Sequence, residues 1–246
     1  MIIGGLQKFS LLDYPDHISA IIFTKGCNFR CHFCYNPMLV WPETAGEVKY
    51  KTSPNGEGEE DQTLINEVDL FHFLKKRTGK IQAVVITGGE PTLHKDLPEF
   101  IKKIKKLGFK IKLDTNGTNP EMIKNLFSQN LIDYVAMDVK APKDKYEKAV
   151  GIKVDFEKIK KSVKIIKESG LPYEFRTTIA PGILEKKDIA KIGAIIKGAE
   201  KWYLQKFKSD TDLVNQSFKN KVVFTDCEME EMARMGRKYV GFCKLR

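Results

Sequence analysis

Residues 18–37 read ISAIIFTKGCNFRCHFCYNP, an apolar run followed at once by a loop with three cysteines. The run Ile18–Thr24 has the length and the β-branched content of a buried strand. Five similar runs follow at residues 81–87, 109–114, 131–138, 173–179 and 201–207, each after an amphipathic helical pattern. A last helical pattern covers about residues 227–239.

Strands that alternate with longer helices indicate βα units and a parallel sheet. Continuous apolar strands such as AVVI, at residues 83–86, predict burial on both faces of that sheet. Right-handed crossovers then curl the sheet toward a barrel or wind it doubly. Because six units are fewer than the eight of a closed barrel, we predict an α/β fold with a partial (β/α)6 barrel, and the doubly wound sheet is the alternative.

The domain prediction is a single domain over residues 1–246, with a barrel core at about 17–207. Residues 41–62 contain two prolines, three glycines and many charges without an apolar period, so we interpret them as a surface insertion. Residues 208–246 form a C-terminal extension in this interpretation.

Composition narrows the class of protein. The net charge of +10 comes largely from lysines on helical patterns, which is typical of solvated helix faces and argues against a nucleic-acid partner. No apolar stretch of about 18 residues occurs, and the N-terminus lacks a secretory h-region, so we expect a cytoplasmic protein without a membrane span. Three of the five cysteines fall within eight residues, which favours metal ligation over a disulfide framework.

The cysteine loop places Cys27, Cys31 and Cys34 at the spacing C-x3-C-x2-C. Zinc usually takes two close ligand pairs, and no second CxxC or HxxxH pair exists. Three thiolates suit a [4Fe–4S] cube in which one iron has no cysteine and can bind substrate. A zinc site or an electron-transfer module is the alternative, and His32 is the nearest candidate for a fourth ligand.

Polar residues also follow the other predicted strands, and in parallel barrels such strand ends meet on one rim. They are Gly88, Gly89 and Glu90 after the second strand, Asp114 and Asn116 after the third, Asp138 and Lys140 after the fourth, Arg176 on the fifth and Gln205 on the sixth. Each also has an ordinary explanation as a turn, a helix cap or a surface ion pair. An arginine inside an apolar strand, however, requires an anion.

The pattern CNFRCHFC resembles the CxxxCxΦC signature of the radical S-adenosylmethionine (SAM) superfamily, with Phe33 as the aromatic residue. The resemblance implies that Cys27, Cys31 and Cys34 hold a [4Fe–4S] cluster. It also implies that the open iron chelates the amino and carboxylate groups of SAM, with Phe33 near the adenine.

The strand ends fit this resemblance. Gly88, Gly89 and Glu90 are similar to the GGE motif that holds the SAM amino group. Four further residues resemble the DTNG and D-x-K elements of glycyl-radical-enzyme activating enzymes, which surround the SAM carboxylate, sometimes with a monovalent cation; they are Asp114, Asn116, Asp138 and Lys140. By the same resemblance Arg176 lies near the cofactor and Gln205 lies toward the adenine.

Residues 4–15, GGLQKFSLLDYP, and the CYNP that contains Asn36 resemble the activating proteins of the anaerobic ribonucleoside-triphosphate reductase. The resemblance implies reductive cleavage of SAM to a 5′-deoxyadenosyl radical, which removes a hydrogen from a glycine of a partner glycyl-radical enzyme. Flavodoxin or ferredoxin is the implied electron donor.

Two other functions stay open at this point. A radical SAM enzyme could act on a small molecule, such as a 7-deazaguanine or another cofactor precursor. RNA modification would suit the basic charge, but the sequence lacks an interleaved aromatic and basic cluster. We expect Cys227 and Cys243 to be packed thiols, since free cysteine is usually buried.

Overall fold

The computed structural model describes residues 1–41 and 64–246. Apart from Trp41, the predicted surface insertion at 41–62 lies outside the described residues. Within these two ranges, eight strands form one sheet in chain order. They are β1 (Ile3–Ser10), β2 (Ser19–Thr24), β3 (Ala83–Gly88), β4 (Lys110–Thr115), β5 (Tyr134–Asp138), β6 (Tyr173–Ile179), β7 (Lys201–Lys206) and β8 (Phe242–Leu245).

Strands β2 to β8 are all parallel, and β1 pairs antiparallel with β2. The six predicted strands correspond to β2 to β7, so the predicted α/β fold is confirmed. Helices follow these strands, most of them at the predicted helical patterns, but the short helices at residues 37–40 and 146–150 were not predicted. They are α1 (Pro37–Val40), α2 (Glu67–Arg77), α3 (Leu97–Lys105), α4 (Pro120–Ser128), α5 (Tyr146–Val150), α6 (Phe156–Lys167), α7 (Asp188–Ile195) and α8 (Asp226–Gly236).

The sheet curls into a partial barrel. The ring centroids of Tyr14, which follows β1, and Tyr134, on β5, lie 5.8 Å apart. In a flat sheet these strands would be separated by four spacings of ~4.8 Å each. A small apolar cluster that includes both tyrosines with Ile21, Ala83 and Val85 lies apart from the main core. That core contains the alternate strand residues and the buried sides of the helices.

The sheet extends beyond the predicted core at 17–207 on both sides, through β1 and β8. Both are edge strands, and among the described strands each pairs with a single neighbour. Gln7, Lys8 and Phe9 on β1 are exposed, and β8 has only four residues, so neither shows a continuous apolar pattern. An edge strand has less surface to bury, which weakens the signal that sequence reading depends on.

The two cysteines outside the loop have different environments. Cys243 on β8 is buried, as expected, but Cys227 in α8 is exposed, so that part of the prediction is wrong. Cys227 occupies the first turn of α8, whose buried side is formed by Met229, Met232 and Ala233 instead. None of the helices in the described ranges is long and apolar enough to cross a membrane.

Candidate active site

The cysteine loop starts where β2 ends and is held by main-chain hydrogen bonds. Gly26 N donates to Leu39 O (2.8 Å), and Cys27 N donates to Val40 O (2.9 Å). Further along, Arg30 N donates to Val150 O at the end of α5 (2.8 Å). Three separate contacts therefore shape the loop without using the cysteine side chains.

Arg30 adds a side-chain brace to the same loop. Its Nη1 donates to Cys27 O (2.6 Å) and Phe29 O (2.7 Å), while its guanidinium carbon lies 4.1 Å from the centroid of the Trp41 ring. The Arg30 guanidinium therefore donates hydrogen bonds to two loop carbonyls and makes a cation–π contact with an aromatic ring.

The three cysteines are free thiols in a mostly buried environment. Burial raises the pKa of Cys27 to about 11 and that of Cys31 to about 12, and it also raises the pKa of Cys34. The ammonium of Lys140 opposes this shift at all three thiols. A cluster that binds thiolates must displace their protons, and a nearby cation favours that exchange.

The arrangement of the thiols bears on the kind of metal centre. One tetrahedral ion needs its ligands to converge on a single point. Across residues 1–41 and 64–246, no group of three His, Cys, Asp or Glu side chains is arranged to hold one metal ion. A [4Fe–4S] cube distributes its thiolate ligands over different irons, so three free thiols that do not converge on one ion fit it.

Gly88 and Gly89 lie where the end of β3 touches the cysteine loop. A Cβ at Gly89 would be 2.1 Å from Gly26 O, and one at Gly88 would be 2.4 Å from Thr24 N. Gly88 also has φ +110°, which side chains rarely adopt. Glu90 N then donates to Gly26 O (2.9 Å). Both glycines are therefore required for this close approach of two backbones.

The Glu90 carboxylate is buried and accepts four hydrogen bonds from the protein. Oε1 accepts from Thr92 N (3.1 Å), Thr92 Oγ1 (2.5 Å) and Thr115 Oγ1 (2.7 Å), and Oε2 accepts from Asn116 N (2.6 Å). Burial raises the pKa of Glu90, and these hydrogen bonds oppose that shift. The carboxylate ties the end of β3 to the end of β4, and its contact with a SAM amino group stays a prediction.

Asn116 links β4 to the cysteine loop. Its Nδ2 donates to Asn28 Oδ1 (2.9 Å) and lies 4.0 Å from Cys27 Sγ. Asn28 Nδ2 in turn donates to Thr118 Oγ1 (2.9 Å). Sequence reasoning missed Asn28 and Thr118, because short polar residues beside a loop are also typical of turns.

Five charged side chains form a network on the inner side of the sheet, which we call the charged network: Lys112, Asp114, Asp138, Lys140 and Arg176. The Arg176 guanidinium donates from Nε to Asp138 Oδ1 (2.8 Å) and from Nη1 to Asp114 Oδ2 (2.9 Å). Lys140 pairs with Asp138 (2.8 Å), and Lys112 pairs with Asp114 (2.9 Å). The anion that Arg176 requires is therefore supplied by two strand-end carboxylates.

The electrostatics of the charged network follow from these pairs. Burial alone would raise the pKa of Asp114 and Asp138, but the neighbouring cations outweigh it and hold both below their usual values. Arg176 occupies the space between the two carboxylates, where the resemblance suggested a monovalent cation. Three cations against two carboxylates leave one net positive charge, which suits an anionic ligand group.

Lys112 is the member of the charged network that sequence reasoning missed. It is 2% exposed and lies two residues before Asp114, hence on the same face of β4. The signal was available, since a lysine between Ile111 and Leu113 in an apolar strand needs a buried partner for the same reason as Arg176.

Three predicted residues remain, and they are Phe33, Asn36 and Gln205. Phe33 is 4% exposed, with Lys140 Nζ 5.9 Å from its ring centroid. Asn36 precedes α1, and its main-chain N–H opposes the rise in the pKa of the Cys34 thiol. Gln205 pairs with Thr178 across β6 and β7, and within the described residues its side chain makes no hydrogen bond to the other predicted site residues. The structure does not bring Gln205 into the charged network.

Comparison with known proteins identifies the family. The sequence model of the Radical SAM superfamily matches residues 21–192, which include the cysteine loop and the whole charged network. The match extends over well more than half of the chain. The chain belongs to the radical SAM superfamily. Membership implies a [4Fe–4S] cluster and SAM as cofactors.

Relatives of this radical SAM chain differ in the reactions their names describe. A protein of Methanocaldococcus jannaschii named "Putative glycyl-radical enzyme activating enzyme" is 34% identical over 250 residues, covering 100% of this chain and 95% of its own. A 7-carboxy-7-deazaguanine synthase of Thermococcus kodakarensis is 27% identical and covers 88% and 82%.

A solved structure supports the fold of this radical SAM chain. A domain of pyruvate-formate lyase-activating enzyme from Bacteroides vulgatus superposes with a TM-score of 0.53 at 16% identity. The superposition covers 67% of this chain and 99% of that domain. At this level of identity the likeness concerns the architecture alone.

Proposed function

We propose that this radical SAM enzyme is a glycyl-radical-enzyme activating enzyme. The observation that carries the proposal is the 34% identity to a relative of that name over the full length of this chain. The alignment covers 100% of this chain and 95% of the relative. This coverage matters, because radical SAM enzymes share the cysteine loop but differ in the rest of the chain. The resemblance of Asp114, Asn116, Asp138 and Lys140 to elements of such activating enzymes supports the same function.

In this proposal Cys27, Cys31 and Cys34 hold the cluster, and the charged network binds the carboxylate of SAM. Its net positive charge suits that carboxylate, and burial strengthens the attraction by excluding water. When bound, the cluster and SAM supply a 5′-deoxyadenosyl radical. The protein orients the two groups and excludes solvent from them.

The partner we propose is an anaerobic ribonucleoside-triphosphate reductase, with flavodoxin or ferredoxin as electron donor. Support comes from the resemblance of residues 4–15 and of CYNP, residues 34–37, to the activating proteins of that reductase. Residues 4–10 lie in β1, the antiparallel edge strand beside β2.

The test has two stages, both anaerobic. First, the chain is reconstituted with iron and sulfide, reduced with dithionite and given SAM, and 5′-deoxyadenosine and methionine are measured. Second, the reductase encoded in the same genome is added, and EPR spectroscopy looks for a protein radical on it. Cleavage followed by a glycyl radical supports the proposal, while cleavage without any radical on the reductase contradicts the partner.

A second candidate is a radical SAM enzyme that acts on a small molecule. The relative at 27% identity, a 7-carboxy-7-deazaguanine synthase, is the observation that favours it. This candidate predicts that a deazaguanine precursor, and not a protein, increases the formation of 5′-deoxyadenosine. Measuring that product with the precursor and with the reductase, in parallel, separates the two candidates.

A further inference from the structure

A segment near the C-terminus returns to the cysteine loop. Val214 N donates to Cys34 O (2.9 Å), and Asn215 N donates to His32 O (3.3 Å). We call residues 213–218 the C-terminal clamp. It holds the second half of the loop, from Cys31 to Cys34, while α1 and α5 hold the first half. Asn215 and His32 are 183 positions apart in the sequence.

The side chain of Asn215 determines which ring nitrogen of His32 carries the proton. Asn215 Oδ1 accepts from Ser217 N (3.0 Å), and this contact fixes the orientation of the amide. Its Nδ2 therefore faces His32 Nδ1 (3.1 Å) and donates to it. A neutral imidazole that accepts at Nδ1 carries its proton on Nε2, so neither ring nitrogen has a free lone pair.

Phe218 holds the imidazole from a second direction. The rings of His32 and Phe218 are stacked, with centroids 5.6 Å apart and an interplanar angle of 10°. Phe218 is 7% exposed, and Lys221 Nζ lies 3.6 Å from the centroid of its ring. The His32 ring is thus fixed both by a hydrogen bond and by a stacked neighbour that is itself packed.

Holding His32 in this way has a chemical consequence for the proposed cluster. His32 lies between two cysteine ligands, and imidazole is a known ligand of iron in iron–sulfur centres. A free imidazole at this position could compete for the iron that has no cysteine, which is the iron that SAM requires. Loosening the loop would also lower its affinity for the cluster, because the thiols would lose their preorganised positions.

We propose that the C-terminal clamp is a positioning element, which holds the Cys31–Cys34 half of the loop and withholds His32 from the cluster. The inference rests on the proposed cluster ligands, but it holds for either candidate substrate. Asn215 and Phe218 act through the loop and are positioning residues. Neither is expected to touch SAM.

The experiment compares Asn215→Ala and Phe218→Ala with Ser217→Ala, which changes an exposed side chain of the same turn. Each full-length protein is reconstituted anaerobically, and iron loss to a chelator and the EPR response of the reduced cluster to SAM are recorded. We expect Asn215→Ala to lose iron roughly fivefold to tenfold faster, the factor for one net hydrogen bond. Phe218→Ala removes the stacked ring instead, and we expect it too to lose iron faster and to give a weaker EPR response to SAM. Phe218→Tyr, which preserves the stacked ring, should retain iron like the wild type.

A double variant separates the two parts of the proposal. Adding His32→Ala to Phe218→Ala should restore the EPR response to SAM while iron loss stays fast. Clamp variants that match Ser217→Ala in iron loss and in EPR response would overturn the clamp alone. A wild-type chain that takes up no cluster would overturn the proposed cluster site, and the clamp with it.

Discussion

The cysteine loop and the charged network lie side by side but are built in opposite ways. The loop has its three thiols within eight residues, and mainly main-chain hydrogen bonds from Leu39, Val40, Val150 and Val214 shape it. The charged network brings together four side chains from β4, β5 and β6 and that of Lys140, two residues after β5, and every contact in it joins two side chains. The proposed cluster ligands are therefore close together in the sequence. The charged network is instead stabilised by ion pairs between residues that are far apart in the sequence.

The largest effect is expected at the loop. Cys31→Ala removes one proposed ligand of the cluster, so the iron–sulfur absorbance and the cleavage of SAM should both disappear. Stability of the protein without cluster should change little, because the main-chain contacts of the loop are retained. Absorbance spectroscopy and product analysis test this, with Cys227→Ala, at an exposed cysteine, as the matched control. A Cys31→Ala protein that still cleaves SAM would remove the loop from the active site.

In the charged network, unlike in the loop, a substitution should lower the stability of the folded protein. Arg176→Met removes two buried hydrogen bonds between charged groups and leaves Asp114 and Asp138 each with one lysine, so the free energy of unfolding should fall by about 3–5 kcal/mol. Urea denaturation measures it. Lys160→Met, which breaks an exposed pair with Glu157, should cost less than about 1 kcal/mol. Equal losses in the two variants would show that the network is no more than a set of surface ion pairs.

Gly89 tests the boundary between the two regions. In Gly89→Ala the new Cβ would lie 2.1 Å from Gly26 O, so one of the two backbones must move. Overpacking of this kind costs about 1–3 kcal/mol, and the displaced loop should also bind less iron. Gly5→Ala is the control, because its Cβ would meet Phe23 at an ordinary 3.4 Å. Iron content and urea denaturation are measured for both variants. A Gly89→Ala protein with wild-type iron content and stability would contradict the requirement for glycine at this position.

The smallest effect is expected from pH. The pKa values of Asp114 and Asp138 are held below normal, so the unfolded chain binds more protons at acid pH and the folded state loses stability as pH falls. The loss should begin near pH 5, above the usual aspartate pKa of about 3.9, and continue below it. Asp138→Asn should flatten this dependence relative to Asp212→Asn, an exposed control. The free energies of unfolding of both variants are measured from pH 7 to pH 4. If the two variants lose stability in parallel, Asp138 is not a source of the pH dependence.

The parallel strands β2 to β7 and their order along the chain were predictable, because apolar runs alternate with helical patterns in the sequence itself. Strands β1 and β8 were not, since edge strands bury less surface and their patterns are weak. Polar residues at five strand ends could be named in advance. The position of Gln205 toward the adenine stays a prediction. Lys112 was overlooked, although its position beside Asp114 obeys the same rule.

The sequence by itself determined the spacing of the three thiols and the alternation of strands and helices, because both depend on residues close together in the chain. Only the tertiary structure decided that Arg176 lies between Asp114 and Asp138, since strand register places Asp138 opposite Arg176. It also decided that Asn215 reaches His32 across 183 positions. Contacts of this kind leave no local pattern, because each partner has an ordinary role wherever the chain does not bring them together.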